Sequence, residues 1–102
     1  MAELSSNNVG NWPFSDPPNV AVFTSVRLLE GDDWVHYVTH DEDDGAWQFH
    51  PFSGPTSEHE SAVISLAEML NIEPRISELA DLPTGWHAWR ERKDGEWTRA
   101  TK

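Results

Sequence analysis

Three times in this chain an acidic or glycine-containing turn is followed at once by tryptophan: Gly31-Asp32-Asp33-Trp34, Asp44-Gly45-Ala46-Trp47 and Asp94-Gly95-Glu96-Trp97. Asp-Gly is a strong hairpin signal, because tight two-residue turns need positive φ at their centre. Runs rich in β-branched and aromatic residues flank these turns: Val20–Leu29, Trp34–His40, Trp47–Phe52, Trp86–Arg92 and Glu96–Ala100. Such runs between turn signals predict antiparallel strands. Nothing else recurs at a fixed period, so the turns share a chemistry without making a repeat fold.

Between the third and fourth runs the period changes. Ser53–Glu60 reads as a polar loop. Ser65-Leu66-Ala67-Glu68 then fits a capping box, with Leu66, Met69 and Leu70 on one helical face. Glu73-Pro74 restarts a helix with proline at its first position, Ile76, Leu79 and Ala80 form its apolar stripe, and Leu82-Pro83 stops it. Each helix is about two turns, too short to persist alone, so both must pack on the sheet. The predicted fold is α+β in a single domain: about five antiparallel strands with two short helices on one face, in the order βββ-αα-ββ.

With 102 residues the chain suits one domain. Only 37% of residues are hydrophobic, but six are tryptophan. Large aromatics bury roughly 150–250 Å² each, so a few indoles can stand in for many aliphatics. Residues 1–19 are rich in Ser, Asn and Pro and are expected to form an irregular arm, disordered up to Gly10, with Trp12-Pro13-Phe14 docked on the body of 20–102. Disulfides and thiolate metal sites are excluded, because the chain has no cysteine. No segment approaches the roughly 20 apolar residues of a membrane span, and Met1–Gly10 lacks a basic-then-apolar leader pattern. The expected location is cytoplasmic.

Net charge is −11, unevenly spread: residues 1–73 carry 13 acids and one base, and residues 74–102 carry five acids and six bases. Such a field repels phosphate backbones and excludes nucleic acid as the expected partner. It favours encounter with a basic protein.

If Glu30–Asp33 is a four-residue loop, Leu29 faces Trp34. Val22, Val26, Leu28, Val35 and Tyr37 then line the core, while Phe23, Ser25, Arg27, Leu29, Trp34, His36, Val38 and His40 share the other face. A two-residue turn at Asp94-Gly95 sets Arg90 directly opposite Arg99 and puts Trp86, Ala88, Arg90, Arg92, Trp97 and Arg99 on one face.

His40–Phe49 (HDEDDGAWQF) and Ile76–Trp89 (ISELADLPTGWHAW), with Asn11–Val22 ahead of them, resemble a family of small uncharacterised bacterial proteins. The resemblance implies a bacterial single-domain protein and no particular catalytic residue or ligand. Through the DGxWQF-like turn alone the chain is also distantly similar to tryptophan-rich immunity-type domains of bacterial toxin systems.

The acidic turn Asp41–Gly45 is the most conspicuous candidate site. A calcium loop of the EF-hand type needs glycine at its sixth position and glutamate at its twelfth, but counting from Asp41 those places hold Ala46 and Phe52. The turn is expected instead to be a partner-facing knob, with Asp41, Glu42, Asp43 and Asp44 meeting a basic surface and Trp34 and Trp47 as apolar anchors. A second candidate is an anion site formed by Arg90, Arg92 and Arg99, whose like charges on one face call for a counter-charge; an internal acid such as Glu78, Asp81 or one from the acidic turn is the first expectation for it, and a bound small anion or acidic partner segment the second.

Metal binding is not expected. His36 and His40 lie about 13 Å apart along one strand, too far to share an ion without a bend. The sequence also lacks a Gly-x-Ser-x-Gly elbow and a glycine-rich phosphate loop, so no catalytic residue and no cofactor are assigned. The first functional expectation is a non-catalytic, immunity- or adaptor-like binding module. The alternative is a small-ligand or metal-assisted enzyme using the histidines or the arginine face, and a purely structural domain is third. Oligomeric state is left open.

Overall fold

Val38 faces Phe49 on one side and Ala88 on the other, and all three are fully buried; they mark the inner face of a sheet. The computed structural model describes residues 12–102 and forms six strands: β1 Ala21–Ser25, β2 Val35–His40, β3 Trp47–Pro51, β4 Ser61–Ser65, β5 Trp86–Trp89 and β6 Thr98–Thr101. Their order across the sheet is β4-β1-β3-β2-β5-β6, with β1 and β3 parallel and every other neighbouring pair antiparallel. The helical elements are α1 Val26–Leu29, α2 Leu66–Ile72, a 3-10 turn Glu58–Glu60 and a 3-10 helix Pro74–Leu79. No helix among the described residues is long and apolar enough to cross a membrane.

The expected caps form. Ser65 Oγ accepts from Glu68 N–H at 3.0 Å, starting α2, and Glu73 precedes the 3-10 helix with Pro74 at its first turn. Leu66 and Met69 of α2 join Ile76, Leu79 and Leu82 in the same core as Val22, Val38 and Phe49. Burying side chains of this size stabilises by roughly 1.5–3 kcal/mol each, which is what holds helices this short in place. Phe14 is buried edge-on to Trp47, so the Trp12-Phe14 part of the arm docks as expected. The expectation of disorder up to Gly10 lies outside the described residues.

The α+β class holds, but the sheet is six-stranded and mixed where five antiparallel strands were expected. The predicted hairpin joining Val20–Leu29 to Trp34–His40 does not form. Ser25 Oγ accepts from Arg27 N–H and ends β1 with a helical turn, which buries Leu28. β3 then lies between β1 and β2. Ser61–Ser65, which sequence reasoning passed over, becomes the edge strand β4 beside β1. A register shift between Val35 and Tyr37 reverses the expected alternation along β2: Val38 is core, and Tyr37 turns to the opposite face with His50.

In the last hairpin Ala88, not Arg90, faces Arg99. The two-residue slip leaves the faces unchanged but lengthens the connection, whose tight turn closes from Gly95 N–H to Arg92 C=O at 2.9 Å. The sheet's other face carries one row across all six strands: Val63, Phe23, Gln48, Thr39, His87 and Ala100.

Candidate functional site

The β2–β3 connection is built from its own carboxylates. Asp41 N–H donates to Ala46 C=O and Gly45 N–H to Asp41 C=O, while Asp44 Oδ1 accepts from Ala46 N–H at 3.0 Å. Gly45 sits at φ +72°, a conformation that glycine adopts without steric cost. Asp41 is drawn back onto the sheet by Thr39 Oγ1 and by Gln48 Nε2, the latter at 2.7 Å. Glu42, Asp43 and Asp44 are exposed. None of the four carboxylates makes an ion pair among the described residues.

Beside this turn lies a cleft of about 500 Å³, walled by Val20, Ala80 and Leu82, floored by His40 and Trp47, and rimmed by Asp16, Asp44 and Asp81. The floor is rigid. The His40 ring stacks on Trp47 at 3.8 Å, His40 Nδ1–H donates to Leu82 C=O, and Trp47 Nε1–H donates to Asp16 Oδ2 at 2.8 Å. A hydrogen bond from Arg99 holds the Asp81 carboxyl below its ordinary value of 3.8. A shallower hollow of about 310 Å³ adjoins the cleft through Asp44 and is lined by Asp41, Glu42, Asp43, Gly85 and Lys102.

The structure does not bring the two expected anchors to this site. Trp47 is only 2% exposed, too little surface to anchor a partner. Its indole is needed inside, where Phe14, His40 and Asp16 surround it. Trp34 stands at the far end of β2, roughly 20 Å along the strand from the acidic turn. There it stacks on Phe52 with ring centroids 4.7 Å apart.

The three arginines do not form one site either. Arg90 is buried between the rings of Trp97 and Trp34, 4.3 and 5.5 Å from their centroids. Its Nη2 donates to Glu73 Oε1 at 2.7 Å and its Nε to Val35 C=O at 2.8 Å. Arg99 bonds Asp81 and the Glu78 carbonyl, each at 2.8 Å. Arg92 is exposed and makes no ion pair among the described residues. The counter-charge for Arg99 is one of the internal acids expected. For Arg90 it is Glu73, whose place before Pro74 signals only a helix boundary in the sequence.

Histidines are dispersed. His36 donates to Arg90 C=O, His50 donates to Gln48 Oε1, His87 shares a 2.7 Å hydrogen bond with the Tyr37 hydroxyl, and His59 is exposed. No group of three metal-ligating side chains occurs among the described residues. Asp16 is the functional candidate that sequence reasoning missed. One signal pointed towards it: a buried indole N–H needs an acceptor.

No family model matches the chain, and neither a curated protein nor a solved structure matches it.

Proposed function

We propose that this chain is a non-catalytic binding module that receives a basic protein segment at the acidic end of its sheet. One observation carries the reading: the cleft's rim holds Asp16, Asp44 and Asp81 without a lysine or arginine in its lining, and Asp44 joins it to the Asp41–Asp44 turn. An incoming arginine or lysine would lay its aliphatic stem along Val20, Ala80 and Leu82 and present its charge to Asp16 and Asp44. Both carboxylates are pre-set by bonds to Trp47 Nε1–H and Ala46 N–H, which lowers the ordering cost of binding. The turn's unpaired charge would speed the encounter, and salt would slow it.

Trp47 supplies the test, because its indole N–H sits on Asp16 in the cleft floor. Titrating the ¹⁵N-labelled protein with a short arginine-containing peptide should shift that indole resonance and the Asp44 amide, with affinity falling steeply as salt is added. Asp44→Ser should weaken the response. Unmoved Trp47 and Asp44 signals, or an affinity indifferent to salt, would refute the reading.

A further inference from the structure

The edge strand β4 is open at one place, and its sequence complements itself there. Leu66 N–H donates to Val20 C=O at 2.9 Å in the β1–β4 register, so the alternate residues Ala62 and Ile64 turn their backbone groups towards β1. Those of Ser61, Val63 and Ser65 therefore point away from the sheet. Two of the three outward amides are occupied: Ser61 N–H donates to Glu58 C=O, and Ser65 N–H to Glu68 Oε1 at 3.4 Å. Val63 alone keeps both its outward N–H and its C=O without a partner among the described residues. The Val63 side chain is 60% exposed and lies beside Phe23, itself 46% exposed, on the uncovered face. The strand Ser-Ala-Val-Ile-Ser has no charge and no proline, the usual devices that protect an edge.

We infer that β4 is a self-association edge, and that its occupant is the β4 strand of a second copy, paired antiparallel about a two-fold axis through Val63. That pairing sets serine against serine at both ends and Ala62 against the partner's Ile64, small against large. Val63 exchanges both backbone bonds with the partner's Val63. On the uncovered face Phe23 and Val63 then continue into the partner's Val63 and Phe23 as one apolar strip, and the two sheets become one. The near-palindrome of residues 61–65 gives this match to a second copy of the same strand. Opposing the contact are the −11 charge of each copy and the glutamates Glu58, Glu60 and Glu68 at the strand's two ends. Self-association should therefore strengthen with salt, the opposite of binding at the acidic cleft.

Sedimentation of the full chain over a wide concentration range tests this. The mass should rise from 11.6 kDa towards twice that value, more readily at moderate than at low salt. Val63→Pro removes an amide that bonds nothing among the described residues and fixes φ in a range an edge strand accepts, so the monomer should fold, while dimerisation weakens about tenfold or more. Val63→Lys, which leaves the backbone intact, should act in the same direction and decides the matter if the proline variant misfolds. A wild type that stays monomeric throughout, or a folded variant that dimerises as the wild type does, overturns the inference.

Discussion

Replacing Glu73 with glutamine strikes the most deeply buried ion pair among the described residues. Arg90 has no exposed side-chain surface and Glu73 keeps 15% of its own, with nitrogen and oxygen 2.7 Å apart. Removing one partner from a buried pair costs roughly 3–5 kcal/mol, because the remaining charge loses its compensation while staying out of water. The partial exposure of Glu73 lets some water reach the site and favours the lower end, about 3 kcal/mol. A second loss accompanies it. Glu73 Oε1 serves Arg90 while Oε2 accepts from Arg75 N–H at 3.0 Å, and glutamine has one oxygen for two donors.

A domain of this size is stable by roughly 5–15 kcal/mol in all. At about 4–8 °C per kcal/mol, a 3 kcal/mol loss lowers the melting temperature by about 12–24 °C. Urea unfolding followed by tryptophan fluorescence measures the free energy directly, since Trp97 and Trp34 flank the guanidinium. A double-mutant cycle with Arg90→Met isolates the pair, because an unbranched methionine keeps the packing between the two indoles. The methionine change should cost less in the glutamine background than in the wild type. A loss below about 1 kcal/mol for Glu73→Gln, the size of an exposed pair, would refute the reasoning.

Two smaller tests address the caps and the uncovered face. Ser65→Ala removes the Oγ that caps α2 and should cost about 1 kcal/mol in the same urea assay, with the strand order unchanged. Burial of His50 outweighs the attraction of Asp41 and lowers its folded pKa below the ordinary 6.5. Between those two values the unfolded chain binds the proton and the folded chain does not, so stability should fall as pH drops through 6.5 and level off below the folded value. His50→Asn should remove that slope. The carboxyls of Glu78 and Asp81, lowered by hydrogen bonds from Arg75 and Arg99, act in a separate window below about pH 4.5 and leave the histidine step distinct.

What the sequence disclosed was local. The Asp41–Gly45 turn, the Ser65 cap and Pro74 at a helix start depend on residues within four positions of one another, and all three form. Pairings that depend on distant segments could not be read from the runs themselves. Val20–Leu29 has the composition of one long strand, yet tertiary burial of Leu28 and the Ser25 cap turn its second half into a helix. Once β1 is shortened, its place beside β3 is set by the shared core, which the linear pattern does not encode. The two-residue slip of the last hairpin has the same origin. The Arg90 backbone still bonds His36 C=O of β2, but its side chain reaches Glu73 at 17 residues' distance, and Trp97 covers it.

The candidate site divides in the same way. That the turn is acidic and exposed is legible, but its usefulness depends on where the chain's few cations go. Four of the seven bases are committed to ion pairs with the chain's own acids: Arg27 to Glu60, Arg75 to Glu78, Arg90 to Glu73 and Arg99 to Asp81. Arg90 ties β5 to the start of the 3-10 helix, and Arg99 ties β6 to the segment just past its end. Both cations therefore hold the helical layer against one side of the sheet. Of the remaining three, only Lys102 lies against the turn. The carboxylates of residues 41–44 thus keep their charge available, and the ion pairs that stabilise the helical layer are what leave them so. A partner bringing its own guanidinium would supply the cation that this fold uses elsewhere.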